Sequence, residues 1–353
     1  MSIKKLSVTD FLQQSETAIV LDVRSPSEYN QAHIPGAYSL PLFDDEERKV
    51  VGTAYKQRSR EQAIKAGLNY FGPKMRLMVE TVEAMQKAEK NKDKTIFIHC
   101  WRGGMRSGAV AWLLDLYGFD VSLLVGGYKA YRNWVLEQFE KDYPIRILGG
   151  FTGSGKTQIL QRLKECKERV IDLEGLANHK GSAFGGIGQP AQPRQEMFEN
   201  LLAMDFRDQS QSSNQNDIWL EDESQRIGVL NIPPSLWTNI RTKKVYFIDI
   251  PFDERLRFIT NDYGCLNKES IKEAIARIQK RLGPLETKTA LAFIEEDNYA
   301  EAFKILLQYY DKLYLKALHN RQDIDRLLVK IVCEKVDTLK NTQNILACET
   351  VVI

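Results

Sequence analysis

Residues 150–157 read Gly-Phe-Thr-Gly-Ser-Gly-Lys-Thr, directly after the apolar run IRILG and directly before QILQRLKE, which carries helical spacing. This is the Walker A arrangement in the strand, loop and helix context it requires. Flexible glycines let backbone amides wrap phosphate oxygens, Lys156 neutralises charge, and Thr157 would hold a magnesium ion where one is needed. The phosphate-binding set is therefore Gly150, Gly153, Ser154, Gly155, Lys156 and Thr157. The bare motif predicts ATP or GTP, yet such a loop reads diphosphate and not adenine, so the ligand stays open at this point.

The chain has 353 residues, long enough for two domains. Its 49 basic and 47 acidic side chains leave a net charge of +2, so a polyanionic partner must be met by a local patch. The one clear basic excess lies at residues 241–290. No apolar run reaches membrane-spanning length and the N-terminus lacks a signal-peptide core, so the expectation is a soluble, cytoplasmic protein without membrane contact. The five cysteines (Cys100, Cys166, Cys265, Cys333 and Cys348) are widely spaced with no CxxC pair, which argues against disulfides or zinc and leaves any special cysteine as a thiol.

Before the phosphate loop, apolar runs at 18–23 (AIVLDV), 95–99 (TIFIH) and 121–125 (VSLLV) alternate with helical patterns at 75–88 and 107–116. That is the pattern of a parallel sheet covered by helices. Pro144 precedes a new strand at 145–148, so the domains read as 1–143 and 144–353, both α/β, with a helical extension from about 265 to 353. The polar stretch 209–217 reads as an exposed loop.

Cys100 stands where the strand TIFIH ends, and the segment CWRGGMRS finishes where a helix begins. Inward-pointing amides and the positive end of that helix make a cradle for an anion or a thiolate, so Cys100 is a candidate low-pKa nucleophile. The cradle residues are Trp101, Arg102, Gly103, Gly104, Arg106 and Ser107. In the second half, the strand IWLE suits a Walker B role for Glu221 or Asp222, and the strand ending at Asp249 competes with it. Asp172, Glu174, His179, Ser182 and Phe184 lie in a glycine-interleaved stretch, too flexible for a helix interior, that reads as a substrate loop.

The segments DVRSPSE (22–28) and HIPGA (33–37), the cysteine loop and Gly126-Gly-Tyr128 together resemble a rhodanese domain over residues 1–140. One departure stands out: HCxxGxxRS has five residues between Cys100 and Arg106, matching a phosphatase signature and making room for a phosphate ester or an atom larger than sulfur. With VGTAYKQ (51–57), GGFTGSGKT, DLEGLANHKGSAFG, LEDESQRIG, the IxxRLG segment at 278–283 and YYDxxY at 309–314, the whole chain resembles the tRNA 2-selenouridine synthase family. The resemblance implies that the wobble 2-thiouridine of tRNAs for Lys, Glu and Gln is first geranylated from geranyl diphosphate, then converted to 2-selenouridine with selenophosphate. It implies a selenophosphate supplier as partner and no tightly bound cofactor; no metal is certain, and whether magnesium binds the phosphate loop stays open.

On that basis the phosphate loop would hold the departing diphosphate, and Cys100 would receive selenium from selenophosphate within its cradle. The amphipathic stretch IKEAIARIQKRL at 271–282 displays Lys272, Arg277, Lys280 and Arg281, the expected tRNA contacts, with Ile271, Ile275, Ile278 and Leu282 on the other side. Trp101 or Phe184 would stack on the splayed wobble base. Two rivals remain: a phosphatase of the rhodanese fold, and a nucleotide-switched sulfur-relay protein.

Overall fold

The computed structural model describes residues 3–88, 95–264 and 267–350. Cys265 lies outside the described residues. Contacts divide the chain into two units, one of residues 1–138 with 199–204, the other of 139–198 with 205–353.

The first unit runs β1 (Lys4–Leu6), α1 (Val8–Gln14), β2 (Ile19–Asp22), α2 (Pro26–Gln31), β3 (Tyr38–Ser39), α3 (Asp45–Gln57), α4 (Arg60–Ala88), β4 (Thr95–His99), α5 (Met105–Tyr117), β5 (Asp120–Leu124) and α6 (Gly127–Gln138). Its five strands pair in parallel in the order β1-β5-β4-β2-β3. Strands β2 and β4 are apolar and buried nearly throughout because helices cover both faces of a parallel sheet. Local chemistry starts the helices. Ser25 and Asp44 each form a capping box with the glutamate three residues on, Glu28 and Glu47. Helix α4 begins fifteen residues earlier than the pattern at 75–88 indicates and runs through Pro73, packing Ala63, Gly67, Phe71, Met78 and Val82 inward.

The second unit runs β6 (Ile145–Gly150), α7 (Lys156–Glu165), α8 (Leu173–Ala177), α9 (Gln195–Gln211), β7 (Ile218–Glu221), β8 (Arg226–Ile227), β9 (Leu230–Asn231), α10 (Pro234–Ile240), β10 (Val245–Asp249), α11 (Phe252–Tyr263), α12 (Lys268–Leu282), α13 (Pro284–Glu295), α14 (Tyr299–His319), α15 (Ile324–Leu327), β11 (Leu328–Val332) and α16 (Thr338–Thr350). Its main sheet is parallel, in the order β11-β10-β6-β7. One core packs Leu148, Ile159, Trp219, Ile248 and Ile331 around this sheet, and a second joins α11 to α14 through Ile259, Ile271, Ile275, Phe303 and Leu307.

Three expectations change. The stretch read as helical from about 265 also contains β11, whose backbone completes the edge of β10. The expected loop at 209–217 starts at Ser212, because α9 continues through Gln211. Residues 173–177, read as too flexible for helix, form α8, since the Asp172 side chain caps it by accepting from the Gly175 amide at 2.7 Å.

Candidate active sites

Cys100 follows β4, a strand with a neighbour on each side, so it sits outside the carboxyl end of the first sheet, where open α/β folds place their ligands. The thiol is 3% exposed. Its Sγ lies 3.2 Å from the Ser107 hydroxyl oxygen, which is also 3.2 Å from the Gly104 carbonyl. Burial pushes the thiol up, but the Ser107 hydroxyl, the amides of Ser107 and Gly104 and the Arg106 charge together outweigh it and hold Cys100 below its ordinary value.

The loop is clamped from β5 and α6. The amides of Tyr128 and Lys129 donate to the carbonyls of Cys100 and Trp101 at 2.8 and 3.0 Å. A Cβ on Gly127, at φ +60°, would stand 2.3 Å from the Cys100 carbonyl oxygen, so this close approach requires glycine. Arg106 is committed to Glu28, donating to its two oxygens at 2.6 and 3.5 Å, whereas Arg102 is exposed. Trp101 is 38% exposed, its ring 5.8 Å from that of Tyr128.

The family-like segments around this loop act as its frame. Arg24 is 1% exposed, donates to both oxygens of Asp22 and to the Ala32 carbonyl, and lies 3.7 Å over the Tyr128 ring. The Asn200 side-chain amide donates to the Tyr128 hydroxyl at 2.9 Å and to the His33 carbonyl at 2.8 Å. Glu28 and Asn200 carry no sequence signal of this role, because their partners lie 78 and 72 residues away.

In the second unit β6 delivers the phosphate loop, again between two neighbouring strands. Gly155 takes φ +75° and caps α7, so the loop amides turn into the N-terminus of that helix. Lys156 donates to the Gly150 carbonyl at 2.9 Å, and Thr157 donates to Glu174 Oε2 at 3.1 Å. Ser154 is 1% exposed, and its hydroxyl has no partner among the described residues. Arg255 braces the loop from α11, donating to the Thr152 carbonyl at 3.0 Å and to both oxygens of Asp311.

The two carboxylates offered for the Walker B role separate. The strand ends at Glu221, and the Glu223 amide donates back to the Glu221 carbonyl at 3.0 Å, a tight turn centred on Asp222. Asp222 accepts from the Tyr314 hydroxyl at 2.6 Å and from the buried Arg321, so it is a structural anchor rather than a metal-facing acid. Glu221 and Glu223 meet Glu174 instead, with one ligand atom of each within 4.8 Å of the others. Glu223 was missed; the two-residue spacing from Glu221 was its signal. Burial and the neighbouring carboxylates raise Glu221 and Glu174, and burial with Glu174 pushes Glu223 up to about 8. The competing Asp249 is paired with Lys330 at 2.7 Å.

A cavity of about 690 Å³ opens on the phosphate loop. Its lining joins Lys156, Thr157 and Glu223 to an apolar group comprising Trp237, Phe258, Ile259, Leu313 and Leu318. Of the expected substrate-loop residues, Glu174 and Ser182 line this cavity, while Asp172, His179 and Phe184 do not. Phe184 is 5% exposed and packs edge-on to Phe303 in the helical core, which removes it as a stacking platform. The YYDxxY segment supplies Tyr310, Asp311 and Tyr314 to hydrogen bonds around the loops.

The basic stretch forms α12, with Ile271, Ile275 and Leu282 buried as expected. Lys272 is not free for a phosphate: its ammonium donates to Glu269 at 2.7 Å and pairs with Glu295 at 2.5 Å. Arg277 sits 4.0 Å from Glu273 and contacts the Ala183 carbonyl at 3.5 Å, while Lys280 and Arg281 are exposed. Among the described residues no helix is long and apolar enough to cross a membrane.

The profile of a family described as the tRNA 2-selenouridine synthase AAA domain matches residues 143–344, and the rhodanese-like domain profile matches residues 7–133. A curated tRNA 2-selenouridine synthase from Bdellovibrio bacteriovorus is 34% identical over 346 residues, covering 86% of this chain and 89% of the relative. Those from Hydrogenovibrio crunogenus and Proteus mirabilis are each 34% identical, over 86% and 88% of this chain and 90% and 92% of their own.

Proposed function

This chain belongs to the tRNA 2-selenouridine synthase family and is an enzyme, and from that premise we propose that it converts wobble 2-thiouridine in tRNA to 2-selenouridine in two steps. In the first, the 2-thiouridine sulfur attacks C1 of geranyl diphosphate. The carbon–oxygen bond breaks and diphosphate departs with the electron pair. In the second, a selenium nucleophile derived from selenophosphate adds at C2 and geranylthiolate leaves. Alkylation comes first because a thiocarbonyl sulfur leaves poorly and a thiolate leaves well.

The observation that carries this reading is the cavity that puts Lys156 and Thr157 in one lining with Trp237, Phe258, Ile259, Leu313 and Leu318. A diphosphate needs the first group and a ten-carbon isoprenoid tail needs the second. Lys156, whose ammonium donates to the Gly150 carbonyl at the cavity wall, would serve the departing oxygen. Glu174, Glu221 and Glu223 fit a magnesium ion, since both Glu221 oxygens are buried without a partner among the described residues. When bound there, the ion would neutralise diphosphate charge. Cys100, in its own cradle, acts on selenophosphate in the second step.

The family resemblance supplies the substrates of this reading: geranyl diphosphate, selenophosphate and thiolated tRNA of the Lys, Glu and Gln type, with a selenophosphate-forming enzyme upstream. The test is mass analysis of nucleosides from thiolated tRNA incubated with protein, geranyl diphosphate and selenophosphate. S-geranyl-2-thiouridine without selenophosphate, and 2-selenouridine with it, are expected. Formation of neither sinks the reading.

A further inference from the structure

We infer that Cys100 attacks the phosphorus of selenophosphate, not its selenium, forming S-phosphocysteine and releasing hydroselenide as the nucleophile for C2. The inference rests on the proposed function and specifies the chemistry of its cysteine site.

Electron balance carries the first part of the argument. Selenium in selenophosphate is already at the selenide level. A perselenide on cysteine lies two electrons higher, so forming it would require an added oxidant or would leave phosphorus reduced, and neither is supplied by the reaction. Attack at phosphorus needs neither. The Cys100 sulfur forms a bond to phosphorus, the phosphorus–selenium bond breaks, and its electron pair leaves with selenium as hydroselenide. Hydroselenide adds to C2 of the S-alkylated uridine and expels the alkyl thiolate. Water then attacks phosphorus, the sulfur–phosphorus bond breaks, and inorganic phosphate and the Cys100 thiolate return.

Geometry carries the second part. Five residues separate Cys100 from Arg106, and the loop they form presents the Gly104 and Ser107 amides toward Sγ. A tetrahedral phosphoryl group on Sγ would meet those amides and the positive end of α5. Arg106 has five N–H donors and uses only two nitrogens on Glu28, which fixes its guanidinium beside the loop with donors left for a phosphoryl oxygen.

Ser107 has one proton and two neighbours, Sγ and the Gly104 carbonyl, both at 3.2 Å. With Cys100 as a thiol the hydroxyl is served best by the carbonyl. With a thiolate it turns to sulfur, so Ser107 stabilises the group that must leave when S-phosphocysteine is hydrolysed. It is a positioning residue for the second half of the cycle.

The experiment uses the full chain, geranylated tRNA and selenophosphate radiolabelled at phosphorus, quenched in alkaline denaturant, where an S-phosphocysteine survives, with the Cys100 peptide analysed for label and for the isotope pattern of selenium. Phosphoryl and selenium adducts are nearly isobaric, so both readouts are needed. Label on Cys100 without selenium is expected, at a level several-fold higher in Ser107→Ala than in the wild type, with phosphate released one for one with 2-selenouridine. Selenium on Cys100 without phosphorus overturns the inference, as does unlabelled Cys100 in both proteins while 2-selenouridine forms at the wild-type rate. If no 2-selenouridine forms with any protein, the proposed function itself fails, which is a separate result.

Discussion

Thr157 on α7 donates its hydroxyl to Glu174 on α8 at 3.1 Å, joining the end of the phosphate loop to a carboxylate seventeen residues further on. Through Glu174 the loop reaches Glu221 and Glu223, so three acids gather beside the phosphate loop. That grouping, the cysteine cradle and the Asp222 anchor each make a measurable claim.

The carboxylate cluster makes stability of the ligand-free protein fall with pH. Glu223 holds its proton to about pH 8 when folded, against 4.5 as the ordinary value, so between these pH values the folded state binds more protons than the unfolded. Stability is then lost as pH rises through that window. Thermal unfolding should show a falling melting temperature from pH 5 to 8, flattened in Glu223→Gln. Magnesium should restore more stability at pH 8 than at pH 5, because it replaces the protons.

Cys100 should react with iodoacetamide along a pH profile whose midpoint lies below the ordinary thiol value of 9.0. The Ser107→Ala variant loses a hydrogen bond to the thiolate, so its profile moves to higher pH. An unmoved profile would remove Ser107 from the account of this thiol.

The two chemical steps should separate by mutation. Lys156→Ala is expected to lower geranylation by about a hundredfold or more, the usual cost of losing a charge-stabilising donor at a leaving group. Cys100→Ala should leave geranylation intact and abolish 2-selenouridine formation. Loss of geranylation alone in the Cys100 variant would reverse the assignment.

Asp222 matters for folding. Arg321 is 1% exposed and relies on Asp222, so Asp222→Ala leaves a buried charge uncompensated and should cost about 3–5 kcal/mol in urea unfolding. A Walker B acid with no such partner would show little loss of stability.

For tRNA binding, Lys280→Ala with Arg281→Ala should reduce the slope of log affinity against log salt by about 0.7–0.9 per lost phosphate contact. Lys272→Ala should change it least, because Glu269 and Glu295 already neutralise that ammonium.

Both reactive loops were legible before any fold was known, since a strand, a glycine-rich turn and a helix N-terminus are contiguous in the chain. Helix starts at Ser25, Asp44 and Asn267 were equally local, because a capping residue and the amides it serves lie within three positions. The Walker B choice was not legible: Glu221 and Asp222 are neighbours in sequence, and only distant partners, Tyr314 and Arg321 for Asp222 and Glu174 for Glu221, tell them apart. Phe184 misled for a related reason, since glycine neighbours suggest exposure while Phe303, more than a hundred residues away, buries it.

The sequence by itself determined two parallel-sheet units, Cys100 at the end of one strand and Lys156 after another, because those features depend on backbone chemistry within a few residues. Tertiary structure decided which charges are available. Long-range packing committed Lys272 to Glu295, Arg106 to Glu28 and Asp222 to Arg321, and it left Glu174, Glu221 and Glu223 facing one another. A charge acts according to its nearest partner and its burial, and both are set by residues far apart along the chain.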